Sequence, residues 1–348
     1  MTKIYLVRHA EAEGNLYRLV QGHFDGLVTR LGYEQIRALR RRFEGVQIDA
    51  VYSSDLFRAR TTARAVSEVR GLPIILRREL REVHLGWWEG QPWQEARVHD
   101  AQMLSNFHRD LSRLHVEGGE SAADARDRML AALRDIAVEN EGKTVAVFSH
   151  GLAIRILLGT LRGMALQDID QTVLCDNTGV SLLEWDGSTL REVYGGDNSH
   201  LTEAGLTNFI PRKAGQGPSR FEDGVGYRPL SDGDREMLRG RGCAVPQDGE
   251  AIGVYWGAEL AGVVQLAGCE GETGVVGCYY MLPEFRGQPN KSIQPMGQAV
   301  MHYRARGCNR LRLAFVPQEY RAYFARYGFT QTNDGAMEMS IGYEDQEI

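Results

Sequence analysis

Apolar positions over the first 200 residues alternate between two periods. KIYLV is a short continuous apolar run and predicts a buried strand. TRLGYEQIRALRRRF repeats its apolar residues at helical spacing, with Thr29 as the N-cap. DAVYSS predicts a second strand, DLFRARTTARAVSEV a helix, and PIILRREL a third strand. Residues 92–140 are polar and helix-prone; TVAVFS then reads as a buried strand and LAIRILLGTL as a helix. NTGVSLLEWDGSTLREVYGG predicts a hairpin turning at Asp186-Gly187. This alternation predicts an α/β fold with helices on both faces of a sheet.

The pattern changes near residue 200. TEAGLTNFIPRKAGQGPSR is rich in Gly, Pro and hydroxyl residues, which predicts a linker. The expected organisation is a first domain over 1–200, a linker over 201–218 and a smaller α/β domain over 219–348. In the last, AIGVYWGAELAGVVQLAG predicts two strands around a turn at Ala258-Glu259, and GVVGCYYML predicts another strand. SIQPMGQAVMHYRARG predicts a helix, NRLRLAFV a strand and EYRAYFARYGF a short helix.

A length of 348 residues suits two domains, and 43% hydrophobic with 25% charged residues can fill sizeable cores. The net charge of −6 gives no reason to expect nucleic acid or an anionic membrane as partner. Arg37, Arg40, Arg41 and Arg42 read as a solvated helix face. The five cysteines are scattered and lack CxxC spacing, against both a disulfide framework and a zinc site. Arg8 interrupts the first apolar run, and no run of some 18 apolar residues follows. A cytoplasmic protein is expected.

Two strands end alike: KIYLV runs into Arg8-His9, and TVAVFS into His150-Gly151. Ligands in open α/β sheets sit beyond the carboxyl ends of strands, so two imidazoles are expected together there. Arg58 opens a helix, where the dipole prefers an anion to a cation, and a bound anion would resolve that conflict. Glu82 precedes Gly86-Trp87-Trp88, and aromatic neighbours would raise a carboxyl pKa toward that of a proton donor. The set suggests phosphoryl chemistry. Two guanidiniums clamp phosphate oxygens, a protonated histidine adds a third cation, and the helix after His150-Gly151 offers N–H groups. A neutral histidine attacks phosphorus and the glutamic acid protonates the leaving oxygen. A metal cluster is the competing reading, but no HExxH-like spacing appears, so no metal is expected.

At these residues the chain resembles the histidine phosphatase superfamily, the phosphoglycerate mutase-like branch. LVRHAEAEGN carries its Arg-His-Gly signature with Ala10 in place of glycine. QGHFDGLVTRLGYEQ, YSSDLFRARTTA, LREVHLGWWEG, GGES and VFSHGLAIR follow in the family's order. The resemblance implies a mixed, mostly parallel sheet flanked by helices. It implies that His9 is the phosphorylated nucleophile and Glu82 the acid, then the base for water. By the same resemblance Arg8, Arg58 and His150 would form the phosphate pocket, with Asn15, Gln21 and Gly151 at phosphate-contacting positions. The stretch 92–145 is shorter than the insertion of the mutases. A phosphatase acting on a small phosphorylated metabolite without a cofactor is therefore expected, with mutase-type transfer as the alternative. Trp87, Trp88, Trp93, Met103 and Phe107 are either leaving-group pocket or core.

The segment from MLPEFRGQPNKS to EYRAYFARYGF resembles a GNAT-type N-acetyltransferase, in which a glycine-rich loop holds the pyrophosphate of acetyl-CoA. Arg286, Gly287 and Lys291 fall at that loop. The later glycines are missing and Pro289 lacks an N–H, so a degenerate acetyl-CoA site is expected. Tyr323 and Tyr327 are read as core rather than as a general acid. The alternatives are a module for binding, regulation or homodimerisation, and a bifunctional phosphatase/acetyltransferase.

Overall fold

Strand β1 (Thr2–Arg8) alternates its side chains between two helical layers. Ile4 and Leu6 join a core with Met129, Leu133, Ile154 and Leu157, from the helices Ala122–Glu139 and Gly151–Leu161. Val7 faces the opposite core with Ile36, Leu39, Ala63 and Val66, from the helices Arg30–Arg42 and Phe57–Arg70. In this computed structural model residues 1–172, 175–207, 225–286, 292–344 and 347–348 are described.

Strands β2 (Ala50–Ser53), β3 (Ile74–Leu76), β4 (Thr144–Ser149), β5 (Val180–Trp185) and β6 (Leu190–Asp197) complete a sheet of order β3-β2-β4-β1-β5-β6. The pairs β1–β4, β2–β4 and β2–β3 are parallel; β1–β5 and β5–β6 are antiparallel. The expected α/β architecture with a mixed sheet is present. Thr29 caps its helix by accepting from the Gly32 N–H, and Asp186 accepts from Ser188 and Thr189 to close the β5–β6 turn. Residues 92–140 divide into the helices Trp93–His99, Ala101–Arg109 and Ala122–Glu139.

The expected linker begins inside a helix, Ser199–Ala204, and residues 208–224 lie outside the described set. A second sheet then forms from β7 (Gly226–Pro229), β8 (Glu250–Trp256), β9 (Glu259–Glu270), β10 (Thr273–Met281), β11 (Arg310–Leu313), β12 (Thr330–Gln331) and β13 (Met337–Ser340). Its order is β12-β13-β11-β10-β9-β8-β7, with only β10–β11 parallel. This unit is mostly strands rather than the balanced α/β expected. Its helix Met296–Arg304 starts later than the pattern suggested, behind Pro295.

The two sheets do not close off separate cores. Tyr17 and Leu19 are buried in one apolar cluster with Ile293, Met296, Ala299 and Val300 of the second unit. Within the 37–42 run Arg37 and Arg41 are exposed as a solvated face requires, whereas Arg42 pairs with Asp197 at 2.6 Å and Arg40 donates to the Ile348 carbonyl at 2.7 Å. The second-unit cysteines are also not scattered: Cys269 and Cys308 have sulfurs 3.3 Å apart, Cys243 and Cys278 3.8 Å, all as free thiols. No helix among the described residues is long and apolar enough to cross a membrane.

Candidate active site

Parallel register sets the site. Arg8 is paired with Ser149 at the ends of β1 and β4, so the next residues, His9 and His150, emerge side by side. Their ring centroids lie 5.2 Å apart, and both rings are buried. The His9 N–H of the main chain donates to the Ser149 carbonyl at 2.9 Å, locking the two strand ends together.

His9 Nδ1 lies 2.7 Å from the Ala10 carbonyl. A carbonyl only accepts, so Nδ1 carries the hydrogen and Nε2 keeps its lone pair. Burial depresses the His9 pKa well below the ordinary 6.5, and the Arg58 and Arg8 charges depress it further. The ring is neutral at physiological pH, the form in which nitrogen is a nucleophile. His150 is lowered in the same way, by burial first, then by Arg58 and His9. The protonated third cation expected from the sequence is thus a neutral ring in the unliganded protein. His150 Nε2 shares a hydrogen bond with Ser54 Oγ at 2.8 Å, while its buried Nδ1 has no partner among the described residues.

Two guanidiniums flank the rings. Arg58 is fully buried; its Nη1 and Nη2 donate to the Phe24 and Gly22 carbonyls, both at 2.7 Å. Burial brings its pKa down to about 10 against the opposing pull of Glu82, Asp25 and Glu89, so it stays a cation. Arg8 Nη1 donates to the Cys175 carbonyl. Among the described residues the buried Nε atoms of both arginines lack partners, as does Gln21 Oε1. The two unpaired Nε–H donors, of Arg8 and Arg58, fit a phosphoryl group beside the imidazoles, since its oxygens would accept from them.

Glu82 sits at the start of the helix Gly151–Leu161. Its carboxylate accepts from Leu152 N at 3.0 Å, Ala153 N at 2.8 Å and its neighbour Val83 N at 3.0 Å. Two of the N–H groups that the sequence reading reserved for phosphate are therefore given to Glu82, which is fixed next to His150. Gly151 has a different use: a Cβ there would stand 3.0 Å from Arg8 Nε. Asn15 Oδ1 accepts from Ala12 N at 3.0 Å and from Asn177 at 3.4 Å, leaving its amide hydrogens to donate.

Several supports escaped the sequence reading. Asn177 donates to the His9 carbonyl at 3.0 Å, and Thr62 Oγ1 accepts from the Ala10 N–H at 2.9 Å. Ser54 sets the His150 ring, and Glu89 ties His23 N to Leu85 N at 2.8 Å each. Ser54 in YSSD carried a usable signal, because it stands at a strand end beside the expected pocket. The aromatic set divides: Trp88 is core, with Trp93 and Phe107 rings 6.2 Å from it, while Trp87 is exposed. Trp93, Met103 and Phe107 are partly buried against that same core.

In the second unit, Arg286 donates to the Met281 carbonyl and to Tyr320 Oη, both at 2.6 Å, so its guanidinium is engaged within the fold. Gly287 and Lys291 lie outside the described residues. Tyr323 and Tyr327 pack on the apolar cluster as expected. Among the described residues no three His, Cys, Asp or Glu side chains are grouped to hold a metal ion.

Known proteins resemble this chain over its first unit. The sequence profile of the histidine phosphatase superfamily (branch 1) matches residues 4–205. Phosphoglycerate mutase-like protein 4 of Arabidopsis thaliana is 34% identical over 208 residues, covering 59% of this chain and 89% of that protein. Among solved structures, YhfR of Bacillus stearothermophilus matches with a TM-score of 0.56 and 33% identity, over 58% of this chain and 100% of that one. A phosphoserine phosphatase variant of Entamoeba histolytica, solved with phosphoserine, matches with a TM-score of 0.51 and 27% identity, over 58% and 100%.

Proposed function

This chain belongs to the histidine phosphatase superfamily through residues 4–205, and from that premise we propose that it hydrolyses a small phosphomonoester through a phosphohistidine on His9. The observation that carries the reading is the His9 ring, neutral, with Nδ1–H held by the Ala10 carbonyl so that Nε2 keeps its lone pair, between two buried arginines. Nε2 attacks phosphorus and the P–O ester bond breaks. The departing oxygen takes a proton from Glu82. Glu82 then accepts a proton from water, whose oxygen attacks phosphorus as the P–N bond breaks, releasing phosphate. Arg8, Arg58 and the His150 Nδ1 side stabilise the charge on the transferring oxygens, and Asn15 and Gln21 add contacts. The reaction asks for no cofactor, since these groups supply the electrostatic stabilisation.

Mutase-type transfer uses the same phosphohistidine. The modest stretch 92–145 favours water as acceptor. Incubation of the full chain with phosphorylated metabolites separates the two: free phosphate supports hydrolysis, and an isomerised ester supports transfer. His9→Ala must lose turnover of an aryl phosphate, and wild-type turnover by that variant would overturn the reading.

For the second unit we infer a GNAT-type sheet with a degenerate acetyl-CoA site. The strand order, the lone parallel pair β10–β11 and the irregular register of β10 between Val275 and Cys278 support the sheet. The occupied Arg286 guanidinium favours a structural or regulatory role over acetyl transfer. Acetyl-CoA that raised the Tm with concentration would contradict this.

A further inference from the structure

Glu13 lies four residues after His9, yet its carboxylate is tied to the far end of the chain. Arg304 meets it with both terminal nitrogens: Nη1 to Oε2 at 2.9 Å and Nη2 to Oε1 at 2.7 Å. The Glu13 side chain is buried, at 6% exposure, and that of Arg304 is largely covered, at 14%. Arg304 is itself fixed, because its Nε donates to the Ile341 carbonyl at 2.8 Å. A forked pair of this geometry is directional, and breaking one side leaves the other charge buried and alone.

Glu13 does a second thing. Its Oε2 also accepts from the Leu27 N–H at 2.9 Å, and its own N–H donates to the Leu27 carbonyl at 2.9 Å. It therefore clasps the two ends of the segment 13–27. That segment carries Asn15 and Gln21, and its Gly22 and Phe24 carbonyls hold Arg58. The second unit grips it at other points too. Gly297 lies so close that a Cβ would stand 2.6 Å from the Cβ of Tyr17. Tyr343 donates to the Asp25 carbonyl and stacks edge-on against Phe57 at 5.5 Å. Asp25 in turn caps the helix that bears Arg58, accepting from Phe57 N at 2.7 Å.

We propose that Arg304 is a positioning residue for the phosphate pocket, so that the second unit completes the hydrolase site from outside it. Resting on the phosphohistidine reading, this gives the fused unit a function that needs no ligand of its own. Arg304 touches no reacting atom; it holds Glu13, Glu13 holds the 13–27 loop, and the loop aims Arg58, Asn15 and Gln21. A small misplacement of such groups is costly, because the reacting geometry tolerates little error.

The test uses the full chain with Arg304→Met, Arg304→Lys and the double variant Glu13→Gln/Arg304→Met. Three quantities are read: Tm, kcat and KM on an aryl phosphate, and the Kd of inorganic phosphate from tryptophan fluorescence. Arg304→Met should raise KM and the phosphate Kd by about 10–100-fold. Arg304→Lys, which keeps the charge but loses the fork, should recover part of that. The double variant buries no lone charge, so it should regain Tm while phosphate binding stays weak. Wild-type KM and Kd in the double variant would overturn the proposal and leave the pair merely structural. Wild-type turnover that survives His9→Ala would instead overturn the phosphohistidine reading, while the phosphate Kd still reports on Arg304.

Discussion

The imidazoles of His9 and His150 stand 5.2 Å apart because Arg8 and Ser149 are register partners in a parallel pair. The two rings have different anchors: the Ala10 carbonyl orders His9, and the Ser54 hydroxyl orders His150. His150 should therefore be separable from the nucleophile. His150→Asn should lower kcat by about 100–1,000-fold by removing a donor to the transferring oxygens. The His9 phosphoenzyme should still form, slowly, and rapid-quench labelling with a radioactive phosphoester checks this.

Proton linkage gives a second expectation. His9 and His150 titrate well below 6.5 in the folded chain, and His23 and His200 near 4, burial being the largest cause for each. In the unfolded chain each returns toward 6.5. Between the two values the unfolded state binds more protons, so stability rises with pH through that window. The contribution is present above 6.5 and is lost as pH falls toward the folded values. Tm should fall steadily from pH 7 to pH 5, and His200→Asn should flatten that slope. Inorganic phosphate should oppose the fall, since a bound anion favours protonated imidazole.

The ends of β1 and β4 were legible because a buried strand is a local pattern, and a histidine at its end needs no partner to be noticed. Arg58 was legible from a local conflict, a cation at a helix start. The pairs that hold the site were not legible: Asn177 to His9 spans 168 residues and Arg304 to Glu13 spans 291, and nothing in either short segment specifies the other. Glu13 carries no local sign of its role for the same reason. The edge strands β7 and β12, and β13 beside β12, have two to four residues each, too few to show a period. The helix Asp232–Gly240 does carry a local signal, the Ser231/Asp234 capping box.

Gly151 separates activity from stability. It lies at the first position of its helix, where alanine is the better helix former. The added methyl would stand 3.0 Å from Arg8 Nε and 3.2 Å from its Cζ, so the guanidinium must shift. Gly151→Ala should leave Tm unchanged or slightly higher while lowering kcat/KM by about 10–100-fold. A joint thermal melt and kinetic run on the one variant checks both halves.

Arg58 has the opposite signature. Its two terminal nitrogens satisfy the Gly22 and Phe24 carbonyls, so truncation strands buried acceptors as well as removing a cation. Arg58→Ala should lose about 1–3 kcal/mol per stranded group. It should also bind inorganic phosphate far more weakly. Arg58→Lys should recover less of either than its charge suggests, because an ammonium cannot present the same fork. Denaturant melts and phosphate titrations on the two variants read these effects.

Glu82 tests the chemistry itself. An aryl leaving group departs as a stabilised phenolate, whereas an alkoxide needs a proton as the ester bond breaks. Glu82→Gln should therefore slow alkyl phosphates by about 100–10,000-fold and aryl phosphates much less. The same change carries a structural cost that must be separated. Both carboxylate oxygens accept main-chain hydrogens, Oε2 from Leu152 and Oε1 from Val83 and Ala153. A glutamine turns an NH2 toward one of those donors, whichever way the amide is placed, so Tm should drop. That cost is shared by every substrate. The ratio of alkyl to aryl rates cancels it, and that ratio, measured on one preparation, isolates the proton. Equal slowing of both substrates would remove Glu82 as the acid and leave it as the group that orders the His150 helix.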